Sequence, residues 1–234
     1  MDNLTATCLS TRCFCEELST NGLVQPINSF SSLVFVLLGI VGIIIWLKRK
    51  KRKSILESPL VLAFSATMIF IGISSFFYHG TLSFVGQFLD IFSMYIFGTL
   101  LILGALLRRH TISVRRAIII FVVTNIALGI LQYFYPEARR ILFALILLPG
   151  IVIEFLPSKS SGKFTLDKMK YLLIGLVLLI VAYVVWLLDQ NNIVCWPGSL
   201  IQGHAIWHVL TAVASFMIIL HSDKNTTVGL KVVR

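Results

Sequence analysis

The chain has 234 residues, of which 57% are hydrophobic and 13% charged, with a formal net charge of +10. A soluble domain carries about 25% charged residues, so the composition excludes a water-soluble globular protein. The basic excess does not point to nucleic acid, because it lies in short blocks between apolar runs without aromatic interleaving.

No linker, low-complexity stretch or fixed-period repeat divides the chain, which reads as one all-α polytopic membrane domain. Residues 1–28 are polar and carry no secretory signal, so the first span is expected to be retained as an uncleaved anchor. Apolar runs of bilayer-spanning length then follow at about 29–47, 59–78, 84–107, 116–135, 141–156, 170–188 and 200–220. The expected organisation is a non-cytosolic segment (1–28), a seven-helix transmembrane catalytic domain (29–221) and a cytosolic tail (222–234). The fifth run is the weakest: it is short, contains Pro149 and Gly150, and ends near Glu154.

Seven spans sort the charge. All of the 20 basic residues except Arg12, Arg139 and Arg140 fall on one side, including the run Lys48–Lys53. The positive-inside rule then puts the N-terminus outside or in a lumen and the C-terminus in the cytosol. The basic run also suits contact with anionic lipid. Cys8, Cys13, Cys15 and Cys195 all lie on the non-cytosolic side, where disulfides form. Pairing Cys15 with Cys195 would tie the N-terminal segment to the loop before the last span. Disulfide or free thiol both remain open for Cys8 and Cys13.

Ionisable side chains are costly in lipid and mark function there. His204 and His208 are spaced i, i+4 and share a helix face. His79 lies near the outer end of the second span, and Asp90 lies one to two turns into the third. The topology puts all four at similar depth near the outer face. Three imidazoles suffice for a catalytic zinc with an open fourth position. The alternative for the histidine pair is a hydrogen-bonded structural role. Asp90 reads as a fourth ligand, as a general base, or as a carboxylate orienting a histidine. Ser75, i−4 from His79, shares its face; a bond back to its own helix is the competing reading.

Other polar residues carry weaker expectations. Asn125 reads as interhelical glue, and Glu154 has no evident partner. His110 and His221 lie at the cytosolic margin, away from the outer cluster. Trp196, Trp207 and Tyr135 fit an interfacial aromatic belt.

Three motifs carry a family likeness: CFCEE at 13–17, SSFFYHGTLSFVGQFLD at 74–90 and HAIWHVLTA at 204–212, with Asn28 and Ser29 through Ser32 opening the first span. In this order the chain resembles the alkaline ceramidases, seven-span zinc amidases related to the adiponectin-receptor-like proteins. The resemblance implies zinc on His79, His204 and His208, Asp90 positioning or deprotonating water, and Ser75 stabilising the oxyanion. It implies a substrate within the bilayer, ceramide or a related lipid amide, cut to a sphingoid base and a fatty acid. Animal members carry a D-W-C-E-E-N-like segment that binds calcium. Here the segment reads Cys13-Phe14-Cys15-Glu16-Glu17-Leu18, and Gln25 stands where a later glutamate ligand is expected. Glu16 is the one calcium candidate left, short of the six or more oxygens that the ion takes. HAIWH stands where the family often shows HAWWH, a change expected to affect packing or the lipid pocket.

The expected function is therefore a zinc-dependent intramembrane amidase acting on linear amides. Its partners are a lipid-amide substrate and membrane lipids, with no nucleic acid and no obligatory protein partner. Its membrane is that of the ER or Golgi in a eukaryote and the inner membrane in a bacterium. The alternatives are a seven-span lipid receptor with a structural zinc and, ranked last, a proton-relaying transporter.

Overall fold

The computed structural model describes residues 5–7, 14–50, 59–156 and 166–229. Seven helices follow one another: α1 (Pro26–Lys50), α2 (Pro59–Thr81), α3 (Phe84–Arg108), α4 (Val114–Phe134), α5 (Arg139–Phe155), α6 (Leu166–Gln190) and α7 (Gly203–Gly229). A 3-10 turn, Pro136–Ala138, precedes α5. Among the described residues the only extended pairing is an isolated bridge between Thr5 and Ser83.

All helices except α5 are long and apolar enough to cross a bilayer, which makes this a multi-pass membrane protein. Side chains such as Leu37, Val123, Leu145 and Val177 stay exposed, as a lipid-facing surface requires. The 17 residues of α5 give about 25 Å at 1.5 Å per residue, short of a hydrocarbon core of about 30 Å. Helix ends fall within a few residues of expectation except in α7, which continues to Gly229 through most of the expected tail. Cys8, Cys13, Arg12 and residues 51–53 of the basic run lie outside the described residues.

Small residues let the helices approach. A Cβ on Gly39 of α1 would stand 2.7 Å from the Ser65 carbonyl of α2, and one on Gly72 of α2 would stand 2.7 Å from Val36. Reciprocal glycines thus bring the two backbones together, the usual solution where lipid provides no hydrophobic drive between helices. Around this seam Phe35, Phe64, Met68, Phe97, Leu101, Leu172 and Ile219 form the main core. In α5, Pro149 lacks an N–H, and Gly150 lets the helix press on Leu101 of α3. The chain turns from α2 to α3 through Leu82, at φ 42°. Its side chain is buried with Ala6 and Tyr78, which holds a left-handed conformation that leucine otherwise avoids.

Two polar expectations change. Glu154 is paired after all: its carboxylate meets Arg108 of α3 and lies 3.4 Å from His221 Nε2 of α7, while Arg108 also donates to Ser222 Oγ. This cluster joins α3, α5 and α7 at the end opposite Asp90, and only the helix packing reveals it. Asn125 does not reach across helices; its amide donates to Phe121 O one turn back in α4. The link between α4 and α3 is instead Gln132 Nε2 to Phe88 O, at 3.1 Å.

Removing one partner of a buried ion pair leaves an uncompensated charge. Glu154→Ala is therefore expected to destabilise the protein by about 3–5 kcal/mol, read as a lowered midpoint of thermal unfolding in detergent.

Candidate metal centre

The starts of α1, α3 and α7 and the end of α2 gather at one end of the bundle, so the i, i+4 spacing on α7 and the α2–α3 turn aim their side chains at a common point. His79, His204 and His208 are all buried, and their nearest ring nitrogens lie within 4.8 Å of one another. His79 Nε2 and His204 Nε2 are 3.2 Å apart. Among the described residues this is the one group of three such side chains able to hold a metal ion.

Ser75 and Asp90 join the cluster. Ser75 Oγ lies 3.4 Å from His208 Nε2, and the same side chain interacts with the Asp90 carboxyl. Ser65 and Thr67, on the same helix, do bond back to carbonyls four residues earlier; Ser75 faces the site instead. Asp90 is buried beside it. The arrangement sets a carboxylate and a hydroxyl next to three imidazoles in a water-poor enclosure, a suitable setting for moving a proton and steadying a developing negative charge.

The sequence reading missed the side chains behind the rings. Gln25, just before α1, accepts from His79 Nδ1 at 2.8 Å, and its backbone N–H donates to His79 O at 3.0 Å. Ser31 Oγ lies 2.8 Å from His208 Nδ1. Phe14 stacks on His204 with centroids 3.8 Å apart. The sequence signal at this end is a run of serines, Ser29, Ser31 and Ser32, opening an apolar helix.

The N-terminal segment is strapped over this end. Cys15 and Cys195 form a disulfide. Cys15 N–H donates to Asp189 Oδ1 and Glu17 N–H to Pro197 O. Gln202 Nε2 bonds the carbonyls of Trp196, Pro197 and Ser199, holding the loop that carries Cys195. Glu16, the calcium candidate, uses both carboxylate oxygens to accept the N–H groups of Ile27 and Asn28, at 2.7 and 2.9 Å. It caps α1 in the manner of an acidic group at a helix N-terminus. Burial pushes its carboxyl above the ordinary value, against these two donors, which pull it down. Trp196 and Tyr135 are exposed, as belt residues should be, whereas Trp207 packs on Trp186.

A helical membrane protein with a buried histidine cluster at one end of its bundle, closed by a disulfide-bonded strap, is the class that these features define. Comparison with known proteins makes it specific. The sequence model of the Ceramidase family matches residues 7–228, and the chain belongs to that family. It is also 23% identical over 237 aligned positions to the protein of Dictyostelium discoideum named "Putative alkaline ceramidase dcd3B", covering 87% of this chain and 82% of that one. Membership makes the chain a hydrolase and, at the level of the family, one directed at ceramide.

Because the strap holds Phe14 against His204, Cys195→Ser should expose the histidines. Their carbethoxylation by diethyl pyrocarbonate, followed by peptide mass spectrometry, is expected to run severalfold faster than in the wild type.

Proposed function

We propose that this protein is a zinc-dependent intramembrane amidase that cleaves the amide bond of ceramide, or of a closely related lipid amide, to a sphingoid base and a fatty acid. The observation that carries the reading is the convergence of three buried imidazoles with Asp90 and Ser75 at one depth of the bundle.

The donor set fits zinc. Three imidazole nitrogens are a donor set that zinc takes, and His79 Nε2 and His204 Nε2 stand 3.2 Å apart. Three neutral nitrogen ligands leave a fourth position open, the pattern of a catalytic site. When bound, such an ion lowers the pKa of its water to about 7 and polarises a carbonyl.

The chain's own residues supply the rest. His79, His204 and His208 hold the ion. Asp90 takes the proton from the attacking water and passes it to the leaving nitrogen, so that the amine departs neutral. The Ser75 hydroxyl donates to the carbonyl oxygen as negative charge develops on it. The apolar surround keeps bulk water from this charge, and the bundle meets a substrate that stays in lipid.

The same reading gives the topology. α5 completes seven spans, its shortness accommodated by local thinning and by Arg139 and Arg140 at its start. The metal centre then lies towards the outer or lumenal face, where the disulfide is stable. The basic loops face the cytosol, and the host membrane is that of the secretory pathway in a eukaryote or the inner membrane in a bacterium. Glu16 serves α1 rather than calcium.

The test is zinc content and hydrolysis of a ceramide panel on one detergent preparation. The wild type is expected to carry about one zinc per chain, as a single three-histidine site requires, and to release fatty acid. His208→Ala is expected to lose both. Asp90→Asn should keep its zinc while hydrolysis falls by about 10²–10⁴, and Ser75→Ala by about 10²–10³. A wild type without zinc would refute the reading.

A further inference from the structure

We infer that the start of α1, which supplies no metal ligand, orients two of the three ligands and fixes which ring nitrogen each turns to the ion, with Gln25 and Ser31 acting as positioning residues for His79 and His208. The inference rests on the zinc reading above and adds residues that it does not name.

The argument is an accounting of protons. A neutral imidazole carries one hydrogen, and a metal takes the nitrogen without it. Gln25 Oε1 can only accept, so the 2.8 Å contact puts the hydrogen of His79 on Nδ1. Its Nε2 is then the bare nitrogen, the one that faces His204 Nε2. Ser31 has a single hydroxyl hydrogen, and the Asn28 carbonyl 2.9 Å away can only accept it. At 2.8 Å from His208 Nδ1, Ser31 Oγ must therefore accept. This contact puts the hydrogen on Nδ1 and leaves Nε2 bare towards Ser75. His204 is held differently: its Nδ1 has no hydrogen-bond partner, and Phe14 fixes the ring by stacking.

Geometry makes the control firm. Gln25 grips His79 twice, through its side chain and through its backbone N–H to the His79 carbonyl. Glu16 fixes the same turn of α1 from the other side by capping Ile27 and Asn28. In an apolar interior a bare or wrongly protonated imidazole has no water to correct it. Gln25 and Ser31 therefore decide whether the pocket is ready for the ion.

The experiment reads metal binding, not turnover. Zinc dissociation constants are measured by competition with a chromophoric chelator, and the visible spectrum of the cobalt-substituted protein is recorded beside them. Gln25→Leu keeps the bulk but removes the acceptor, and Ser31→Ala deletes one oxygen. Each is expected to weaken zinc binding by about 10- to 100-fold and to alter the cobalt bands. Gln25→Glu and Ser31→Thr retain an acceptor and are expected to stay close to the wild type. If Gln25→Leu does not fold, the single-atom Ser31→Ala change carries the test. Wild-type affinity and spectrum in Ser31→Ala and Gln25→Leu would overturn the inference while leaving the amidase reading intact. So would a Gln25→Glu protein as weak as Gln25→Leu, since a carboxylate can only accept. A wild type that binds no zinc would instead overturn the amidase reading, and this inference with it.

Discussion

Three imidazoles packed against one another inside an apolar bundle must each be held in place, two of them here by hydrogen bonds from Nδ1 to side chains at the start of α1 and the third by stacking on Phe14. Buried polar groups without partners are expensive, and more so where lipid rather than water surrounds the fold. That constraint organises one end of this bundle. α1 contributes acceptors, α2 and α7 contribute rings, and α3 contributes a carboxylate, so no single element contains the site. The close α1–α2 seam, made possible by Gly39 and Gly72, brings the start of α1 within hydrogen-bonding distance of rings on α2 and α7.

The strap belongs to the same system. Glu16 caps α1, Cys15 is bonded to Cys195, and Phe14 covers His204. A segment with no helix of its own thus closes the cluster and fixes the register of α1 against α7. The opposite end of the bundle solves its own burial problem with charge. Arg108, Glu154 and His221 neutralise one another across three helices, which lets the short α5 keep an acidic residue near its end. Each end holds polar groups that only make sense together, and apolar packing separates them.

Much of this was legible in advance because membrane helices announce themselves by length and hydropathy, and because a histidine in lipid is rare enough to be noticed. The i, i+4 pair His204 and His208 follows from helical periodicity, and His79 and Asp90 from their depth on successive spans. Glu154 and Asn125 were read less well. A lone acidic residue looks unpartnered when its partners lie 46 and 67 residues away in the chain. An asparagine in a span gives no sign of whether it bonds across helices or back to its own.

Composition, span length and the order of a few motifs determined from sequence alone that this is a helical membrane protein of the ceramidase family, and marked His79, His204, His208, Asp90 and Ser75 as the candidates for its chemistry. These features are local or periodic, and so can be read along one dimension. The tertiary structure decided which atoms meet. It turned Ser75 towards the site, put Gln25 and Ser31 behind the rings, assigned Glu16 to a helix cap and completed the Arg108–Glu154–His221 cluster. Hydrogen bonds act over about 3 Å, and whether two residues far apart in the chain come that close depends on how the helices pack, which no spacing in the sequence records.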